Sequence, residues 1–169
     1  MLIAISILSL SILGTFAAVQ GSFRSASFAE DQIVASYLAQ EGLEFVRNWR
    51  DENNIKNIRA METGGSQLWW TGIAQAGSDP CYPSKTCTID SPLKVVTSCS
   101  GGSTTCPYLK FDQTSHLYGY TSFWADTKYR RSIYFSAISS TEMQVTVDVY
   151  WQGQGVVKTF SVTEIFRNI

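Results

Sequence analysis

The residues that most limit what this chain can become are its first. From Met1 to Val19 it reads MLIAISILSLSILGTFAAV, with no charge and only Ser6, Ser9, Ser11, Gly14 and Thr15 as polar or small interruptions. At about 1.5 Å per helical residue such a run spans roughly the 30 Å of a bilayer core. The first charge is Arg24. A secretory signal peptide would carry a cationic start, a shorter apolar core and a small-residue cleavage site, none of which fits this stretch. A buried core helix is the other alternative. The reading favoured here is a segment, 1–27, that sits in a membrane or against other copies of itself. Its contact residues are expected to be Leu2, Ile3, Ile5, Ile7, Leu8, Leu10, Ile12, Leu13, Phe16 and Val19.

The remainder, 28–169, is long enough for one small domain with a single core. Thirteen Lys and Arg against fourteen Asp and Glu leave a net charge of −1, scattered along the chain without a basic cluster. Nucleic acid is therefore not an expected partner. The loosest composition, rich in Gly, Ser, Thr and Pro, lies at 77–106 and reads as a loop. It holds all four cysteines, Cys81, Cys87, Cys99 and Cys106. Their spacing is unlike that of zinc sites, and the only histidine is His116. Two disulfides, and hence an extracytoplasmic place of work, fit better. Three connectivities are open; Cys81–Cys87 and Cys99–Cys106 are the sterically easy short closures.

Past the apolar segment, large apolar residues recur at helical spacing. Val34, Leu38, Phe45 and Trp49 share a stripe, and Gly42 leaves room within it for close approach. Charged and amide side chains fill the other face, including the pair Glu44 and Arg47 at one turn's spacing. The pattern predicts an amphipathic helix over 28–54, continuing the apolar one without a proline. The C-terminal third predicts a three-stranded β-meander over 130–166. Met143, Val145, Val147, Val149 and Trp151 alternate with Gln144, Thr146, Asp148 and Tyr150; Gln152–Gly155 and the SSTE sequence before Met143 supply the turns. The apolar face of that sheet needs a cover, and the helix stripe supplies it. The expected class is α+β: a long N-terminal helix packed on a small antiparallel sheet, with a disulfide-stapled loop.

This layout resembles the type IV pilins and pseudopilins. MLIAISILSLSILGTF is similar to the run after the prepilin cleavage site, SYLAQEGLEFVRNWRDENN to the pilin stalk, and VTVDVYWQGQGVVKTFSVTEIFRN to the closing hairpin. The resemblance covers about the first 54 and last 40 residues. It implies a filament subunit that waits in the inner membrane and then joins an extracellular homopolymer. Its implied partners are identical subunits, the pilus assembly machinery and prepilin peptidase; a minor pilin or a secretion pseudopilin is the narrower alternative. The family begins with a methylated aromatic residue and carries an assembly glutamate a few residues later. Met1 aligns just after that glutamate, so the expectation is a start truncated relative to the family, with assembly lacking that charge as the alternative. Pilin helices often unwind beyond the apolar run, which makes Gly14 and Gly21 candidate melting points, each costing about 1 kcal/mol of helix propensity.

Catalysis is not expected, nor is a cofactor or metal. His116, Asp112 and Asp126 have no motif around them, SCSGGSTTC lacks the lysine of a phosphate loop, and no GxxxxGK[ST] sequence is present. A membrane-anchored surface binding module is the remaining alternative, because Trp69, Trp70, Tyr82, Tyr108, Tyr118, Tyr120 and Trp124 are residue types that stack on sugars.

Overall fold

The computed structural model describes residues 2–61, 68–153 and 155–167. Helix α1 runs Leu2–Met61, beyond the expected end at 54, because no proline or capping glycine interrupts the polar sequence after Asn54. The chain divides into two compact units, Met1–Val34 and Ala35–Ile169. The first is helix alone.

The second unit holds the C-terminal part of α1 and seven strands: β1 Thr86–Asp90, β2 Val95–Cys99, β3 Tyr108–Phe111, β4 Tyr118–Gly119, β5 Ala125–Ala137, β6 Glu142–Gly153 and β7 Val156–Arg167. Every pairing is antiparallel. Strand β5 organises the sheet. One edge carries β6, from Tyr129 opposite Trp151 to Ala137 opposite Met143. The other edge is shared end to end: β3 pairs with its first half (Tyr108 with Arg130) and β1 with its second (Cys87 with Ile133). β2 extends β1, β4 extends β3, and β7 closes the far side along β6.

The meander of β5, β6 and β7 stands where the sequence places it, and is longer, at 125–167. Its first turn is closed by the Ile138 and Ser139 amides, which donate to the Glu142 carbonyl at 3.0 and 3.2 Å. In the second, Gly153 pairs with Val156 and Gly155 takes φ 78°, which favours glycine; Gln154 lies outside the described residues. The expected loop at 77–106 is only partly a loop. It contains the β1–β2 hairpin and a 3₁₀ turn, Ser103–Thr105.

Helix and sheet meet through Ala35, Leu38, Ala39, Leu43 and Val46 on α1 and Ile133, Phe135, Val145, Val147, Val149 and Trp151 on the strands, all buried. This corrects the predicted stripe. Leu38 belongs to it, whereas Phe45 and Trp49 are half-buried at its margin and Val34, also half-buried, falls in the N-terminal unit. The buried face is built on small residues, because close approach of a helix axis to a sheet leaves no space for aromatic side chains along the contact line. Gly42 lies on that line. A Cβ there would stand 3.0 Å from Val147 Cγ1 and 3.4 Å from Arg131 Cδ.

Candidate functional site

The N-terminal unit is an uncovered apolar surface. Ile3 is 78 % exposed and Leu10 71 %. Ile5, Ile7, Leu8, Ile12, Leu13, Phe16 and Val19 are all more than half exposed. Leu2 lies in the helix, and its side chain is not among those described. Exposure of this extent is intolerable in water, at about 25 cal/mol per Å² of apolar surface. The polar interruptions do not spoil the surface for hydrocarbon. Ser9 Oγ donates to the Ile5 carbonyl at 2.8 Å, Ser11 Oγ to Ile7 at 3.0 Å, Thr15 Oγ1 to Ile12 at 3.0 Å and Ser22 Oγ to Ala18 at 3.1 Å. Each of these hydroxyls satisfies itself on the helix's own backbone, so none enters lipid or a helix bundle as an orphan. By length and composition α1 can cross a membrane. Gly14 and Gly21 are helical in the single chain, and a Cβ at either would meet nothing within 4 Å.

The second unit is fastened to its part of α1 by polar clasps at the margin of the apolar contact. Arg131 on β5 is fully buried. Its Nη1 donates to the Leu38 carbonyl at 3.0 Å and to Glu41 Oε2 at 2.9 Å, while Nη2 donates to the Ile89 carbonyl on β1 at 2.9 Å. One side chain therefore fixes helix, central strand and β1 together. Arg47 forks onto both carboxylate oxygens of Glu164 on β7, at 2.8 and 2.9 Å. Arg50 lies over the Phe166 ring, 5.2 Å from its centroid.

Trp49 and Asn53 anchor a neighbouring segment of the chain. Trp49 Nε1 donates to the Thr71 carbonyl at 3.0 Å, and Asn53 Nδ2 to the Trp69 and Thr71 carbonyls, both at 3.1 Å. They hold the segment that carries Trp70, which meets Phe135 and Phe166 edge-on at 5.2 and 5.8 Å. Nothing in the sequence marks Asn53 or Arg131 as core residues; their partners are distant along the chain.

The disulfides are Cys81–Cys87 and Cys99–Cys106, and all four cysteines are buried. The first ties β1 to the segment after Trp70; the second closes the loop after β2 over its 3₁₀ turn. β1 is further held by Thr88, whose hydroxyl bonds that of Tyr120 at 2.6 Å, and by Asp90, whose Oδ2 accepts from the Tyr120 amide at 3.0 Å. Burial pushes the Tyr120 hydroxyl above its ordinary pKa.

Of the residues screened for catalysis, His116 is exposed at φ 57° on the turn between β3 and β4, 6.0 Å from the Phe111 ring. Asp112 shapes that turn, accepting from the Ser115 hydroxyl at 2.6 Å and the Thr114 amide at 3.2 Å, and those bonds hold its carboxyl below the usual range. Asp126 pairs with Lys110 at 3.5 Å. Among the described residues no three His, Cys, Asp or Glu side chains are grouped to hold a metal ion. The candidate sugar-stacking aromatics divide: Trp69 and Trp70 are core, Tyr118, Tyr120 and Trp124 are half-buried, and Tyr82 and Tyr108 are exposed.

No family model, curated protein or solved structure matches the chain. The layout is pilin-like: one long N-terminal helix, apolar at its start, and an antiparallel sheet on which its later part packs.

Proposed function

We propose that the chain is a structural subunit of an extracellular type IV pilus-like filament, held in the inner membrane through its N-terminal helix before assembly and polymerised through the same surface afterwards. The observation that carries this is the uncovered apolar run from Ile3 to Val19, in a helix whose later turns pack on a disulfide-stapled sheet domain. A plain membrane anchor needs no continuation into a packed domain. A helix that must leave the bilayer needs both a surface that identical helices can bury and a rigid head to carry outside. On this reading prepilin peptidase and a membrane assembly platform act on the chain, and adhesion or motility is the output of the polymer.

The test is the composition of sheared surface filaments from cells expressing the chain, alongside Leu8→Asp and Ile12→Asp. Filaments containing the wild-type polypeptide are expected, with both variants folded in the head and absent from filaments. A polypeptide abundant in the envelope, never present in filaments and monomeric in detergent would identify a membrane-anchored binding module instead. Scarcity relative to another subunit would move the reading to a minor pilin or secretion pseudopilin.

A further inference from the structure

The sheet face turned away from α1 carries a groove that the filament reading does not use. It is lined by Thr104, Tyr108, Arg130, Tyr150, Gln152 and Val157, drawn from the Cys99–Cys106 loop and from β3, β5, β6 and β7, and encloses about 110 Å³. Arg130 is its chemical centre. The guanidinium stacks on the Tyr108 ring, its carbon 3.8 Å from the centroid, and Nη1 donates to the Thr104 carbonyl. That carbonyl is presented by the 3₁₀ turn inside the disulfide-closed loop. The side chain is thus held from two sides.

What it lacks is an anion. Arg47, Arg50, Arg131 and Arg167 each pair with a carboxylate, whereas among the described residues none pairs with Arg130. A guanidinium edge is shaped to receive a carboxylate on two parallel bonds. We propose that this groove binds the carboxylate-bearing terminal ring of an acidic saccharide, with the carboxylate on Arg130, the ring beside Tyr150 and Val157, and hydroxyls bonded to Gln152 and Thr104.

The dimensions and surroundings select this class. The volume is below the roughly 300–1,000 Å³ of pockets that enclose a whole small ligand, so one terminal ring is what it accepts. Peptide recognition adds a strand to a sheet edge, lays a helix or polyproline segment along an extended groove, gathers a cluster of arginines or captures a terminus in a backbone nest, and this is a short, shallow site with one arginine on a sheet face. A polyphosphate backbone needs several cations in a row, and this site offers one.

The full chain in detergent micelles, with both disulfides intact, is titrated by ligand-observed NMR with 3′-sialyllactose and digalacturonate; lactose and triglutamate are the controls. One acidic saccharide is expected to bind at roughly millimolar dissociation constant, the range reached by one ring and one charge pair. Arg130→Gln is expected to weaken it at least tenfold. Arg130→Lys, which keeps charge and loses the fork, is expected to weaken it several-fold. Gln152→Glu sits on an exposed side chain, leaves the fold intact, and supplies Arg130 with an internal carboxylate; at least tenfold loss is expected there too. The proposal is overturned if neither acidic saccharide binds at ten times that concentration, if lactose or triglutamate binds as well, or if Gln152→Glu binds like wild type.

Discussion

Replacing Arg131 with methionine tests which bond holds the helix to the sheet. The guanidinium is fully buried and reaches four acceptors: the Leu38 carbonyl, Glu41 Oε2, the Ile89 carbonyl and, at 3.4 Å, Ser91 Oγ. These are not equivalent. The Leu38 carbonyl lies inside α1 and keeps its helical donor. The Glu41 side chain is 35 % exposed and returns to water at little cost when Arg131 is removed. Ile89 is fully buried, and its carbonyl would lose the Arg131 bond, at about 1–3 kcal/mol. With imperfect repacking around methionine, Arg131→Met is expected to cost about 2–4 kcal/mol, a large part of a typical 5–15 kcal/mol stability. Glu41→Leu leaves the fully buried guanidinium without its carboxylate and is expected to cost more, about 3–5 kcal/mol. The assay is urea unfolding of a chain beginning at Phe28, followed by tryptophan fluorescence with the disulfides intact. At a slope of roughly 1–3 kcal/mol per molar, Arg131→Met lowers the midpoint by about 1–2 M. A loss from Glu41→Leu well below that from Arg131→Met would refute the reasoning, because the buried carbonyl and not the buried charge would then carry the energy.

Other expectations share that assay or need one more. The chain beginning at Phe28 is expected to be a soluble, folded monomer; aggregation, or loss of the near-ultraviolet circular dichroism signal, would count against a head that folds without the apolar helix. Gly42→Val is expected to destabilise it by about 2–4 kcal/mol through contact with Val147 and Arg131, while in Gly42→Ala the roughly 1 kcal/mol gained in helix propensity offsets a milder clash. A valine at 42 without effect on the urea midpoint would show that helix and sheet do not approach so closely. Burial raises the hydroxyl pKa of Tyr118, Tyr120 and Tyr134 above the ordinary value of 10.0. The protonated form is favoured in the folded state, so this contribution is complete below pH 10.0 and is lost as pH rises through the folded values. Absorbance at 295 nm should show these tyrosines ionising late, together with falling stability, and a normal titration would remove the effect. In assembled filaments α1 is expected to unwind near Gly14, and Gly14→Ala with Gly21→Ala to suppress it; a filament map with unbroken helical hydrogen bonds from Leu10 through Arg24 in the wild type would exclude it.

What could be read from the sequence follows from which forces leave a local trace. Alternation on β6 is visible because one face meets apolar side chains, where Val145, Val147, Val149 and Trp151 are buried; Thr146 and Asp148 on the other face are buried too, bonded to Thr163 and to Tyr150 and Ser161. The cysteine pairing is visible because short loops close easily. Apolar periodicity weighs residues by size, so it finds Leu38 and passes over Ala35, Ala39 and Gly42, which are buried on the same helix. The β1–β2 hairpin is missed for another reason. Thr88 and Asp90 look like loop residues, yet they are buried, satisfied by Tyr120 thirty or so positions away. Polar residues that find distant partners cannot be told from polar residues that face water until the partner is placed. The same argument separates the two halves of the molecule functionally. In the N-terminal unit large side chains are displayed and small polar ones bond to their own helix, which suits a surface that exchanges lipid for other helices. In the head, apolar side chains as large as Trp70 and Phe166 are buried and polar ones are tied to remote strands, which suits a body that keeps one shape.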